Sequence, residues 1–277
     1  MKTLIVPYDF STEAEFALNT AIQLAKIQEA TIKLIHVVEV PSGYLSLYPE
    51  YGGFQMENLY NDQIIKVLED KLNHVVEKHL SGDLMISGDL LYGKPFDSIQ
   101  KTIVSEQADL IVMGSKGASG LKEIFVGSNT ERVIRYSEVP VLTVKHEVDF
   151  SQMSEMVFAT DFSDNKSIKL AKDLQKMLGL KMKLLKVYNS SDWAYTEDTA
   201  IERIQEFAKY HHFKDYTYHV YDSPFVTDGI LHFSEKEKAD LIVMGTHGYT
   251  GIGHLIAGSN AESVANHTKI PIFTVRV

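Results

Sequence analysis

Asp109-Leu110-Ile111-Val112-Met113-Gly114 recurs downstream as Asp240-Leu241-Ile242-Val243-Met244-Gly245. Two further pairs keep the same spacing: Gly127-Ser128-Asn129 with Gly258-Ser259-Asn260, and Val139-Pro140-Val141 with Ile270-Pro271-Ile272. The displacement is 131 in each case (245 − 114, 258 − 127, 271 − 140). Asp9-Phe10-Ser11 and Asp161-Phe162-Ser163 are displaced by 152, so the first copy carries about 21 more residues (152 − 131) between these landmarks. A period this long denotes two duplicated domains rather than a solenoid. The polar stretch 145–154 separates two apolar runs and sets the expected domains at residues 1–148 and 149–277.

Working outward from the repeated run, short apolar segments alternate with helical patterns. Strands are expected at 3–8, 31–38, 84–91, 110–114 and 139–144, with helices at 14–28, 61–79, 99–107 and 130–136 between them. The second copy repeats the strands at 156–160, 183–187, 216–221, 241–245 and 271–275. The strands are almost continuously apolar, as expected when helices cover both sheet faces. Alternating strands and helices point to an α/β fold with a parallel sheet. The extra residues are expected between the second strand and second helix of the first copy. There, residues 40–61 are rich in Gly and Tyr, including Tyr44, Tyr48, Tyr51 and Tyr60. A loop this long is a lid, an interface or an ordinary surface loop.

The 277 residues are 44% hydrophobic and 23% charged, within the ordinary globular range. The absence of cysteine removes disulfide frameworks, thiolate metal sites and a cysteine nucleophile, and is in keeping with a cytoplasmic location. A net charge of −10 disfavours nucleic acid as a partner. No apolar run approaches the length of a membrane span.

The best candidate for chemistry follows the fourth strand of each copy. Gly114-Ser115-Lys116-Gly117, nine residues and Gly127-Ser128 match Gly245-Thr246-His247-Gly248, nine residues and Gly258-Ser259. Glycines let backbone N–H groups approach a ligand closely, and a helix start favours an anion, so the pattern suits phosphate. Ser128 with Glu131, and Ser259 with Glu262, also fit Ser-x-x-Glu capping boxes that need no ligand. Gly88 to Lys94 has most of a P-loop but lacks the hydroxyl residue, since Pro95 follows. His211, His212 and His219 match no common metal-ligand spacing.

These glycine segments, the Leu-Ile-Val-Met runs and the Asp-Phe-Ser after each first strand resemble the universal stress protein family over essentially the whole chain. The resemblance implies two open five-stranded parallel sheets of order 3-2-1-4-5, helices on both faces, and an adenine-nucleotide site above strands 1 and 4, the topological switch point. It implies that Asp9 and Asp161 approach the ribose or adenine, and that Val37 and Val187 offer backbone contacts to adenine. Gly114 and Gly245 would flank ribose and phosphates, with Gly117, Gly127, Ser128, Gly248, Gly258 and Ser259 cradling the phosphates. Asp9 can equally cap the following helix. ATP or AMP is the expected ligand, with Mg²⁺ as an optional companion, in a regulatory role in a stress response; at most a weak ATPase is expected. A slow ATP hydrolase and a nucleotide-free interaction module are the alternatives. Lys116, Lys122 and Arg132 would make the first site the more cationic, while both sites read as competent. The fifth strands, as sheet edges, are expected to meet in an intramolecular pseudo-dimer. A homodimer of chains is a further option.

Overall fold

The computed structural model describes residues 1–39, 62–80, 82–115, 127–162, 165–191, 196–246 and 260–277. The first copy runs β1 (Thr3–Pro7), α1 (Thr12–Gln28), β2 (Thr31–Val38), α2 (Asp62–His79), β3 (Ile86–Tyr92), α3 (Pro95–Ser105), β4 (Leu110–Gly114), α4 (Ser128–Tyr136) and β5 (Val141–Val144). A short 3₁₀ turn at Phe150–Gln152 leads into the second copy. That copy runs β6 (Glu155–Ala159), α5 (Asn165–Leu178), β7 (Lys181–Tyr188), α6 (Glu197–Tyr210), β8 (Tyr216–Asp222), α7 (Val226–Lys236), β9 (Leu241–Thr246), α8 (Asn260–His267) and β10 (Ile272–Arg276). Helix α3 starts at Pro95 rather than near residue 99, because proline fits the first helical position, where no N–H is needed.

The strands form one sheet in the order β3-β2-β1-β4-β5-β10-β9-β6-β7-β8. Each half therefore has the order 3-2-1-4-5, parallel throughout. The halves join where β5 and β10 pair antiparallel, with Val141 opposite Thr274 and Thr143 opposite Ile272. The fifth strands thus lie side by side.

Side chains alternate between two cores. Leu4 and Val6 of β1 face one layer with α1, and Ile5 faces the other with α3 and α4. Both cores run through the join: Leu142 and Phe273 belong to one, Val141 and Ile272 to the other. Burying a side chain of this size is worth about 1.5–3 kcal/mol, so the join is continuous core rather than a docked surface.

Asp109 and Asp240, which open the repeated apolar run, act at the far end of the sheet from the glycines. Asp109 accepts the N–H groups of Lys2 and Thr3, and Asp240 those of Ser154 and Glu155. Each carboxylate clamps the first strand of its copy beside the fourth. Burial alone would raise the pKa of Asp109, but the two N–H bonds hold it below its ordinary value.

The length difference between copies falls in two places. Thr3 pairs with Thr31 and Glu155 with Lys181, so the displacement has already dropped from 152 to 150 (181 − 31) by the second strands. Two of the extra residues therefore precede β2. Ile32 pairs with Ile86 and Met182 with Tyr216, so the displacement at the third strands is 130 (216 − 86) and 20 extra residues (150 − 130) lie between β2 and β3. Four of those 20 lengthen helix α2, which has 18 residues against 14 in α6. The Tyr-rich segment 40–61 lies outside the described residues.

Candidate functional site

The C-terminal ends of β1, β2 and β4 open into a cavity of about 440 Å³ that includes Asp9, Val37, Gly114, Gly127 and Ser128. Five of the six first-copy residues singled out from the sequence thus share one space; Gly117 lies outside the described residues, as do Gly248, Gly258 and Ser259. The volume is in the range of small-molecule sites. Its position, where the chain leaves β1 to one side and β4 to the other, is where open α/β sheets bind ligands.

Asp9 Oδ1 accepts both the N–H (3.1 Å) and the hydroxyl (2.5 Å) of Ser11, and Ser11 caps α1 through the N–H of Ala14. Asp9 thus supports the cap without being it. The next residue, Phe10, has φ +63°, and its counterpart Phe162 has φ +74°. A bulky residue in this region costs about 1–3 kcal/mol, and such strain collects at functional sites. Both copies keep it immediately after the aspartate.

Gly127 is the N-cap of α4, and no side chain caps that helix. Ser128 is therefore the first helical residue, and the Ser-x-x-Glu capping box is not formed. Glu131 instead reaches across the join to accept from Asn266 Nδ2 at 3.1 Å, and Glu262 accepts from Arg135 Nε at 2.6 Å and from Arg135 Nη2. The first N–H groups of α4, without a capping acceptor, sit at the cavity beside the positive end of the helix dipole. Thr130 donates its hydroxyl to Gly114 O at 3.2 Å, which fixes α4 relative to β4. Gly114 is a glycine for a packing reason: a Cβ there would lie 2.6 Å from the Glu13 carbonyl carbon and oxygen. The Arg132 guanidinium stacks 4.2 Å from the Phe96 ring centroid, and Arg132 is not among the residues that line the cavity. Lys116 and Lys122 lie outside the described residues.

Sequence reasoning missed Tyr8, His36, Glu39 and Ile99 on the cavity wall. Tyr8 and His36 adjoin residues that were singled out, which was the available signal; Ile99 arrives from α3 and left none. His36 Nδ1 lies 2.7 Å from Tyr8 O. A carbonyl only accepts, so Nδ1 carries the hydrogen. The Tyr8 hydroxyl donates to Glu15, and burial followed by that carboxylate pushes its pKa well up.

In the second copy, Asp161, Val187 and Gly245 stand at the ends of β6, β7 and β9. The strand register pairs Asp222 with Tyr188 and Tyr92 with Val38, and the next residues, Ser223 and Gly93, donate their N–H groups to the Tyr188 and Val38 carbonyls at 2.9 and 3.0 Å. Gly93 therefore corresponds to Ser223 (223 − 93 = 130), and the second copy carries one extra residue before α7, whose start is displaced by 131 from that of α3. His219 Nε2 lies 2.8 Å from Thr217 Oγ1, and the His211 ring packs on Phe207.

Two α/β units of order 3-2-1-4-5 are joined edge to edge, and the described cavity lies at the switch point of the first. The model of the universal stress protein family matches residues 1–145 and 153–276, and the chain belongs to that family. Among its relatives, universal stress protein MJ0577 of Methanocaldococcus jannaschii is 29% identical over 155 residues, covering 53% of this chain and 96% of the relative. Universal stress protein YxiE of Bacillus subtilis is 30% identical over 148 residues, covering 51% and 97%. Both match about half of this chain, in keeping with its two copies. The crystal structure of a universal stress protein from Archaeoglobus fulgidus superposes with a TM-score of 0.76 at 26% identity, covering 99% of this chain and 98% of that one.

Proposed function

We propose that this chain holds an adenine nucleotide, ATP or AMP, in the first-copy cavity, and acts as a nucleotide-responsive stress protein rather than a fast enzyme. The observation that carries this reading is the convergence of Asp9, Val37, Gly127 and Ser128 on one cavity at the switch point. The base would lie between Val37 and Ile99, the ribose near Asp9, and the phosphates at the uncapped start of α4. An anion there satisfies N–H groups that no side chain caps. Asp9 is engaged by Ser11, which suits it to hold a loop in position rather than to take a proton. Magnesium brought with ATP would keep most of its water and need one or two carboxylates, for which Asp9 and Glu39 are the candidates among the described residues. Residues 1–148 and 149–277 are the proposed domains. A cytoplasmic location is part of the reading; no helix among the described residues is long and apolar enough to cross a membrane.

Calorimetric titration with ATP, AMP and GTP tests this, with chromatography of the nucleotide after several hours. Binding of ATP or AMP in preference to GTP, with ATP recovered intact, is expected. No binding of either adenine nucleotide, or rapid release of ADP, would contradict it.

A further inference from the structure

The two copies share strand order and glycine spacing, yet they differ at three separate points around the expected base. First, Val37 is half-buried and lines the cavity, whereas its equivalent Val187 is only 8% exposed. Val187 is covered by α7. A Cβ on Gly229 would lie 2.6 Å from Val187 Cγ1 and 3.0 Å from Ser223 Cβ. The residue equivalent to Gly229 in α3 is Ser98 (229 − 131), which carries a Cβ, so α3 cannot approach β2 as closely as α7 approaches β7. The glycine lets the helix close on the strand end where adenine would enter.

Second, the turn after the third strand is built differently. Gly93 has φ +129°, open to glycine and rarely to other residues, whereas Ser223 is not among the residues with positive φ. The Ser223 hydroxyl donates to Phe225 O at 2.8 Å. The preceding Asp222 accepts the N–H and hydroxyl of Ser190, at 2.9 and 2.6 Å, and so clasps this turn to the segment after β7.

Third, His36 is replaced by Lys186. Its ammonium stands 4.8 Å from the Phe162 ring centroid. Burial pushes the lysine pKa down, Asp161 works against that, and Arg203 adds to it. The aspartate that would meet the ribose thus already faces a half-buried lysine of its own domain.

We infer that the chain takes one adenine nucleotide, in its first half, and that the second half has lost its base pocket to the packing of α7 on β7. This rests on the proposed function above and names which of the two duplicated sites performs it. The Val187–Gly229 packing, the turn at Ser223 and the Lys186 side chain exclude the base at three points, so restoring one of them alone does not reopen the pocket.

Native mass spectrometry of the full chain with excess ATP, and separately AMP, counts the nucleotides directly. One bound nucleotide is expected. It should be lost in Gly127→Val and in Ser128→Glu, and retained in Lys186→Ala. Ser128→Glu guards against misfolding, because an acidic residue in the first turn favours the helix while repelling phosphate. Two bound nucleotides, or one that survives both first-half substitutions, would overturn the one-site inference while leaving nucleotide binding in place. No bound nucleotide with either ligand would overturn the binding reading and this inference with it.

Discussion

Leu142 and Phe273 face each other across the antiparallel join, and they are also each other's counterparts in the repeat (273 − 142 = 131). A pair of equivalents that meet in register marks the axis relating the two halves. The neighbours behave accordingly: Val141 meets Thr274 and Thr143 meets Ile272, each pair being the other with copies exchanged. Because the chain has no cysteine, this register can be read by oxidation. Val141→Cys with Thr274→Cys should form an intramolecular disulfide, detected as an electrophoretic shift reversed by reductant. Thr143→Cys with Thr274→Cys, one diagonal step away, should crosslink poorly. The reverse outcome would mean a slipped register.

The same axis relates Arg135–Glu262 to Asn266–Glu131, but the two contacts differ in strength. Glu262 is 4% exposed and bonded to a guanidinium, whereas Glu131 is half-buried and bonded to an amide. Removing the guanidinium takes two charge-assisted hydrogen bonds from a buried carboxylate, at a cost of about 3 kcal/mol. Arg135→Met should therefore lower unfolding stability by about that amount. Glu131→Gln should cost under ~1 kcal/mol. Urea melts of the two variants check this; equal effects would contradict the asymmetry.

Glu15 ties α1 to β1 and α2. It accepts from the Tyr8 hydroxyl at 2.5 Å and pairs with Lys78 at 2.9 Å. Burial pushes its pKa up, but Tyr8 and Lys78 outweigh that and hold the carboxyl below its ordinary value. A depressed folded-state pKa contributes stability that is present above the unfolded value, about 4.3, and is lost as pH falls through the folded one. Glu15→Gln should therefore be less stable than the parent by about 1–2 kcal/mol at pH 7. The gap should narrow toward pH 3, as followed by urea melts across that range. A gap that stays constant or widens on acidification would refute the assignment.

Gly114 and Gly127 were read together from the sequence as one phosphate-binding pattern, and the structure separates them. Gly114 is required by the close passage of the Glu13 backbone, so Gly114→Ala should cost about 1–3 kcal/mol of stability whether or not nucleotide is present. Gly127 has φ −61°, open to any residue, so Gly127→Val should melt near the parent and lose nucleotide binding. Thermal melts with and without ATP distinguish the two.

The duplication was legible as a repeated segment and the α/β class as apolar runs alternating with helical patterns, whereas the strand order and the meeting of β5 with β10 followed from the family resemblance. Gly127 and Ser128 stood out as a glycine-led helix start repeated in both copies, Asp9 and Val37 followed from the family resemblance, and all four line the cavity. What escaped was long-range. Ile99 reaches the cavity only through the packing of α3, and Arg132 stacks on Phe96. Glu131 and Glu262 have capping-box spacing, yet the join offers each a partner on the other half that no local pattern records. No local pattern marks Gly229, whose closeness to Val187 is set by the packing of α7 on β7.

Ser128→Glu tests the central claim most directly, because its effects on folding and on binding have opposite signs. A carboxylate in the first turn of α4 interacts favourably with the helix dipole, by about 0.3–1 kcal/mol. The same charge stands where the phosphates are proposed to bind. Calorimetric titration with ATP, paired with a thermal melt of the free protein, should show affinity at least ~10-fold weaker, equivalent to 1.4 kcal/mol, in a protein that melts no lower than the parent. Unchanged ATP affinity in the folded variant would contradict a phosphate site at the start of α4.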